Sequence, residues 1–350
     1  MQQRIAMVGA GALGGYVGGN FAKLGLDVTL IDPWPEHVEA IRKKGLELDG
    51  VTDEEKFRVS NLKALHVTET QTLASKPVDI AFVAMKSYDT AWATALIAQY
   101  LAPGGFVVSL QNCLNEETIA GIVGWGRVVG VVASLISVDL YEPARIRRTV
   151  AKGGEKHTVF RVGEPHGRIT PRVEELVSWF KGIDSSKATT NLWGERWTKL
   201  VQNSMGNGVT ACTGLTSNGC LRNDAIRHFQ IKLAGEGVRV GQALGFQLEK
   251  VRGTDPERIA RASEGDAAAL AEVEAQLVPK AGSNPREDLQ RPSMAQDIRK
   301  GRRTEIEAMN GYIARKGSET GVPAPANAKL TAIVTGVERG ELAPSPSVLA

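Results

Sequence analysis

The residues that most restrict this chain lie near its start, Arg4-Ile-Ala-Met-Val-Gly-Ala-Gly-Ala-Leu-Gly-Gly15. A short apolar run passes into a glycine turn and then into a helix. Gly9, Gly11 and Gly14 form G-x-G-x-x-G in that strand–turn–helix setting. The first glycine permits the tight turn, the second lets backbone approach a pyrophosphate, and the third lets helix and strand pack closely. Free N–H groups and the helix dipole favour an anion at such a helix start. A second strand, Asp27-Val-Thr-Leu-Ile-Asp32, ends on an acid. An acid there binds a ribose 2′-hydroxyl and repels a 2′-phosphate. Pro33-Trp34-Pro35 offers no arginine for such a phosphate, and Arg42, Lys43 and Lys44 lie a helix further on. This stretch predicts a Rossmann-type domain binding NAD(P)H, with NAD(H) favoured by Asp32.

The following segments extend the same α/β pattern. Leu46–Leu48 and Lys56–Val59 read as a short strand pair. Residues 78–85 and 105–110 are nearly continuous apolar runs, as in parallel strands covered on both faces. Lys86 and Asn112 stand just beyond them, where ligands bind in open α/β sheets. Each is read either as a cofactor-side group or as a loop residue that caps the next helix. Residues 128–138 form a further strand, 147–150 and 158–162 alternate like a hairpin, and 171–181 read as an amphipathic helix. Beyond about Thr190 the period is helical over 192–213, 223–244, 256–277, 293–319 and 325–339, with Gly282-Ser-Asn-Pro285 as a loop. The expected architecture is α/β: an N-terminal Rossmann-type dinucleotide-binding domain, residues 1–190, and a C-terminal all-helical domain, residues 191–350.

Composition narrows the partners. At 350 residues two domains are the natural division. The net charge of +3 is small, the basic cluster Arg299-Lys300-Gly-Arg302-Arg303 is followed by Glu305 and Glu307 and reads as a mixed helix face, and no aromatic platform accompanies it, so no nucleic-acid partner is expected. No apolar run reaches the length of a membrane span, so no membrane contact is expected. The N-terminus enters a strand directly, without an apolar leader. Cys113, Cys212 and Cys220 have neither metal spacing nor an evident pairing. They read as reduced thiols in a cytoplasmic protein without a metal site.

Chemistry concentrates in Trp197-Thr-Lys-Leu-Val-Gln-Asn-Ser-Met-Gly-Asn207. Lys199, Asn203 and Asn207 fall at i, i+4 and i+8, a single polar line on one helix. Leu192, Trp193, Trp197, Leu200, Val201 and Met205 form the apolar stripe beside it. Buried amides and an ammonium are costly unless satisfied, and a small polar ligand would satisfy them. The competing reading is a solvated flank with one snorkelling lysine.

Taken together the chain resembles the ketopantoate reductase (2-dehydropantoate 2-reductase) family along nearly its whole length. The matching segments are Gly9–Gly14, Met85-Lys86-Ser-Tyr-Asp-Thr90, Leu110-Gln-Asn112 with Glu116-Glu117, Trp197–Asn207, Ser293-Met-Ala-Gln-Asp297-Ile, Arg303-Thr-Glu305-Ile and Asn310-Gly311. The resemblance implies hydride delivery from a nicotinamide cofactor to the C2 ketone of ketopantoate, yielding pantoate for pantothenate biosynthesis. It implies Lys199 as general acid and Glu305 as the group that orients it and contacts the product hydroxyl. Asn203, Asn207 and Ser293 would hold the substrate's carboxylate and hydroxyl, with Lys86 and Asn112 near the ribose and nicotinamide. It also implies a homodimer through the helical domain. Ser293 and Glu305 fall on one predicted helix, twelve residues apart. Other branched or aromatic 2-oxo acids are the alternative substrates, and a non-catalytic dinucleotide sensor is the alternative outside enzymes. The chain departs from the family at Asp32-Pro33, where many members have arginine, at Asn112-Cys113 in place of Asn-Gly, at Gln290, and in a longer segment over 250–291 that could form a lid or reshape the pocket.

Overall fold

The computed structural model describes residues 2–279 and 291–349. The chain divides into two compact units, Met1–Leu192 and Trp193–Ala350. Gly282–Pro285 and Gln290 lie outside the described residues.

Unit 1 opens with β1 (Arg4–Val8), α1 (Ala12–Lys23), β2 (Asp27–Asp32) and α2 (Pro35–Lys44). It continues with β3 (Leu46–Asp49), β4 (Phe57–Val59), β5 (Lys63–His66) and β6 (Val78–Val83). Next come α3 (Thr90–Ala98), β7 (Leu101–Ser109), α4 (Glu116–Val123), β8 (Val128–Ala133), β9 (Val138–Glu142) and β10 (Arg145–Arg148). The unit closes with β11 (Phe160–Gly163), α5 (Pro171–Lys181) and β12 (Ser186–Ala188).

The main sheet has eight strands in the order β12-β11-β8-β7-β6-β1-β2-β5. β5, β2, β1, β6, β7 and β8 run parallel, and β11 turns antiparallel to β8. Strand order reverses between β2 and β6, which flank β1, so the ends of these three strands form the crevice where such sheets take ligands. A second sheet, β4-β3-β10-β9, covers the outer side of α1. Phe21 of α1 meets Phe82 and Phe180 edge-on at 5.6 and 5.2 Å, anchoring the helix in the core.

Two strand expectations change. The anticipated pairing of Leu46–Leu48 with Lys56–Val59 forms, with Leu46 opposite Val59 and Leu48 opposite Phe57, but Lys63–His66 is a further strand on the edge of the main sheet. Residues 145–148 and 160–163 do not make a hairpin. β10 pairs with β3 and β9, whereas β11 pairs with β8 and β12. Period-two alternation reports a half-buried strand and carries no information about its partner.

Unit 2 continues from α6 (Leu192–Ser204) through α7 (Asn207–Thr213), α8 (Ser217–Arg222) and α9 (Asp224–Ala243). It then runs through α10 (Pro256–Ser263), α11 (Ala267–Leu277), α12 (Ser293–Arg299), α13 (Ile306–Thr320) and α14 (Pro325–Glu338). Among the described residues it contains no strand beyond the isolated bridge Val251–Thr254.

Three predicted helices are each divided. The 256–277 helix breaks because Asp266 restarts it, accepting the N–H groups of Ala268 and Ala269 at 3.0 Å. The 293–319 helix ends at Arg299, where Gly301 is left-handed (φ 61°), and resumes after Glu305. Ser293 and Glu305 therefore stand on different elements. The 192–213 helix breaks after Ser204, for a reason that concerns the site directly.

Candidate active site

The glycine turn is built by close approach. Gly9 has φ 98°, and a Cβ there would lie 2.9 Å from the Ala84 backbone. A Cβ on Gly14 would lie 1.9 Å from the Gly9 carbonyl oxygen, whereas one on Gly11 would meet nothing within 4 Å. Gly11 therefore borders open space, and it caps α1 with no side chain engaged and no acid in the first turn. This cradle fits a pyrophosphate held by backbone N–H groups. Gly14→Ala is expected to weaken dinucleotide binding roughly tenfold or more, the worth of a hydrogen bond to a charged group, checked by fluorescence titration of NADH and NADPH beside a melting curve showing that the variant folds.

Ala10, between the first two glycines, is held on both polar atoms. Its N–H donates to Asp32 Oδ2 at 2.8 Å, and its carbonyl oxygen accepts from His37 Nε2 at 2.9 Å. The Ala144 N–H donates to His37 Nδ1 at 3.0 Å. Since Nδ1 accepts, the single proton of a neutral ring sits on Nε2. Complete burial lowers the pKa of His37, opposed by the charge of Asp32 and the bond to Ala10. Asp32 Oδ1 takes the Trp34 N–H at 2.9 Å. The Asp32 carboxylate thus braces the glycine turn, and each oxygen keeps a second lone pair for a ligand hydroxyl. His37 escaped sequence reasoning because its partners at 10 and 144 are distant and no local period marks it.

The loops beyond β6 and β7 are tied together. The Gln111 amide donates to the Met85 carbonyl at 2.9 Å and to Thr90 Oγ1 at 2.8 Å. Thr90 Oγ1 donates to Asn115 Oδ1 at 3.2 Å, and the Asn115 amide reaches the Asn112 carbonyl at 2.7 Å. Lys86 and Asn112 therefore sit on one hydrogen-bonded platform at the strand ends. The Lys86 side chain does not cap the turn that follows. Cys113 adopts φ 64°, a conformation free to glycine and costing other residues roughly 1–2 kcal/mol.

In unit 2, Lys199 and Asn203 lie on α6, and Asn207 is the first residue of α7. The expected single polar line is therefore bent. Asn310 Nδ2 donates to the Ser204 carbonyl at 3.1 Å, an acceptor that a continuous helix would pair with Gly208. The Gly206 N–H turns back to Asn203 at 3.2 Å. A side chain inserted into the helical ladder is a recognised cause of a kink. Asn310 is fixed in turn. It donates to Asn327 Oδ1 at 2.9 Å, and Glu236 accepts the Asn327 N–H and amide at 3.0 and 2.9 Å. Past the kink, α7 meets the start of α13. A Cβ on Gly208 would lie 3.1 Å from Ile306 Cδ1, next to Glu305, which is buried at the start of α13. Ser293 is exposed at the first position of α12, a helix packed on α7.

The glycine cradle at the strand-order reversal and the helical second unit place the chain among NAD(P)-dependent oxidoreductases. The chain belongs to the ketopantoate reductase family. Residues 5–160 match the family described as Ketopantoate reductase PanE/ApbA, and residues 191–338 match Ketopantoate reductase PanE/ApbA C terminal. The 2-dehydropantoate 2-reductase of Archaeoglobus fulgidus is 30% identical over 340 residues, covering 97% of this chain and 99% of that protein. A PanE/ApbA family ketopantoate reductase from Ralstonia eutropha superposes with a TM-score of 0.76 at 26% identity, covering 97% of this chain and 99% of its own. D-Mandelate dehydrogenase, solved with NADH and anilino(oxo)acetate, shares the fold at a TM-score of 0.78 and 20% identity, covering 97% of this chain and all of its own.

Proposed function

We propose that this protein reduces a 2-oxo acid to the 2-hydroxy acid, with ketopantoate as the default substrate and NADH as the preferred donor. The carrying observation is the kink after Ser204. It sets Lys199 and Asn203 on one helix, Asn207 on the next, and Glu305 beside that second helix. Bound at the glycine cradle, the nicotinamide cofactor supplies hydride to the C2 carbonyl. Lys199 donates the proton that the developing alkoxide requires, an effect worth about 10²–10⁴ in rate. Glu305 orients the ammonium, while Asn203, Asn207 and Ser293 hold the substrate's polar groups. Residues 1–190 act as the cofactor domain, and residues 191–350 as the substrate and dimerisation domain of a homodimer.

The NADH preference rests on Asp32 and on the commitment of the nearest arginine. Arg42 donates to the Ala64 carbonyl at 2.9 Å and pairs with Glu39 and Glu69, so it is not available to a 2′-phosphate. Lys86 and Asn112 complete the cofactor side. The test is oxidation of NADH and NADPH by the purified protein with ketopantoate and a panel of other 2-oxo acids. Ketopantoate turnover with a higher kcat/KM for NADH is expected. Equal use of NADPH would remove the role given to Asp32, and no turnover of any 2-oxo acid would remove the reductase reading.

A further inference from the structure

Arg252 sits in a position that arginine rarely takes. Its φ is 51° and that of the following Gly253 is 84°, forming a two-residue turn between Val251 and Thr254. The turn is closed by N–H to carbonyl bonds of 3.0 Å in both directions, and Thr254 Oγ1 donates to Gln276 at 2.5 Å. A long side chain in the left-handed region costs roughly 1–2 kcal/mol, and such strain collects at functional sites. Among the described residues the Arg252 guanidinium has neither an ion pair nor a hydrogen bond, whereas Arg227, Arg239 and Arg261 of the same unit are each paired with an acid. Arg252 is an exposed residue, so a solute can reach its guanidinium, while the protein atoms packed around that group lower its pKa.

The guanidinium points at the kink. Nη2 lies 3.6 Å from the place a Cβ would take on Gly206, and the Gln230 amide nitrogen lies 4.0 Å from the same point. Gln230 is only 3% exposed, and its side-chain oxygen is buried without a partner. Two donors within reach of one point, over a residue with no side chain, suit the two oxygens of a single carboxylate. Gly206 separates Asn203 from Asn207 and stands seven residues beyond Lys199, roughly 10 Å along a helix.

We propose that Arg252, backed by Gln230, binds a carboxylate of the substrate. This rests on the 2-oxo acid reading above and adds to it a residue from the 250–291 segment. The carboxylate is either the one bonded to the reacting carbonyl or a second one at the far end of a diacid.

The variant to compare with wild type is Arg252→Asn. Asparagine tolerates the left-handed turn, so its melting temperature is expected to equal or exceed wild type. KM for the 2-oxo acid is expected to rise at least about tenfold, as loss of a charged hydrogen bond implies. KM for the neutral ethyl ester of the same acid and the affinity for NADH should stay within about twofold. A rise for ketopantoate and 2-oxoglutarate alike assigns the carboxylate beside the carbonyl; a rise for 2-oxoglutarate alone assigns the distal one. Equal rises for acid and ester, or no rise for either acid, overturn the proposal. Calorimetric binding of oxamate and of N-oxalylglycine to the NADH-loaded protein decides the question even if wild type reduces no 2-oxo acid. Weaker oxamate binding in Arg252→Asn then upholds the anchor for the carboxylate beside the carbonyl while the reductase reading fails, weaker binding of N-oxalylglycine alone upholds it for the distal carboxylate, and equal binding of both overturns the anchor.

Discussion

Lys199→Ala is expected to lower kcat by about 10²–10⁴, the usual worth of a positioned general acid, with little change in the affinity for NADH. The ammonium is the group proposed to protonate the carbonyl oxygen, and alanine leaves the helix intact. Two contacts that fix α6 do not involve Lys199. The Trp197 indole N–H donates to the Gly237 carbonyl at 2.8 Å, and the Ser204 carbonyl is held by Asn310. A melting curve of the variant separates a loss of rate from a displaced helix. Lys199→Arg should not restore the rate, because a guanidinium does not release its proton in this pH range. Steady-state kinetics with saturating NADH and the best 2-oxo acid make the measurement. Wild-type kcat in Lys199→Ala would end the catalytic assignment.

The second large effect concerns stability. Arg148 and Asp184 form an ion pair at 2.6 Å with side chains 0% and 1% exposed. Arg148 also donates to the carbonyls of Val150 and Ala151 at 2.9 and 3.1 Å and to Tyr16 Oη at 3.3 Å. Asp184 accepts the N–H groups of Gly153 and Ser185 at 3.0 and 2.7 Å. The pair joins β10 of the small sheet to the turn before β12 of the large one. Removing one partner of such a pair strands a buried charge and costs about 3–5 kcal/mol. Both variants orphan backbone groups, the carbonyls of Val150 and Ala151 in Arg148→Met and the N–H groups of Gly153 and Ser185 in Asp184→Ala, but methionine refills apolar volume, so Asp184→Ala should cost more. Urea unfolding of both variants reads the difference, and a loss below 1 kcal/mol for Asp184→Ala would contradict it.

The same carboxylate makes an acid-side prediction. Burial alone would raise its pKa, but the N–H groups of Ser185 and Gly153 and the charge of Arg148 outweigh it and hold it below the ordinary 3.8. A depressed folded-state pKa stabilises the fold fully above the unfolded value and is lost as pH falls through the folded one. Wild-type stability should therefore fall below about pH 4, and Asp184→Ala should lack that share of the slope.

The glycine turn, the parallel strands and the run of helices were legible because their signals lie within a few residues. An apolar run bounded by turns, a G-x-G-x-x-G spacing and a 3.6-residue period each describe a neighbourhood that the chain carries with it. The order of the family's motifs was legible for the same reason. Site residues were read by local spacing too, and there the reading bent. Lys199, Asn203 and Asn207 look collinear by the helical period, yet Asn310, 106 residues after Ser204, takes the carbonyl that would have continued the helix.

Partners far apart in sequence were decided only by the tertiary structure. Nothing near His37 announces that it clamps Ala10 against Ala144, or that β10 pairs with β3 rather than turning back on β11. Nor does the sequence around Arg252 show that its guanidinium lies over Gly206. The physical reason is common to all three. Local propensity and hydrophobic period set which elements form and which faces are apolar. The pairing of buried polar groups depends instead on which elements pack together, and the cost of leaving such groups unpaired then selects among packings.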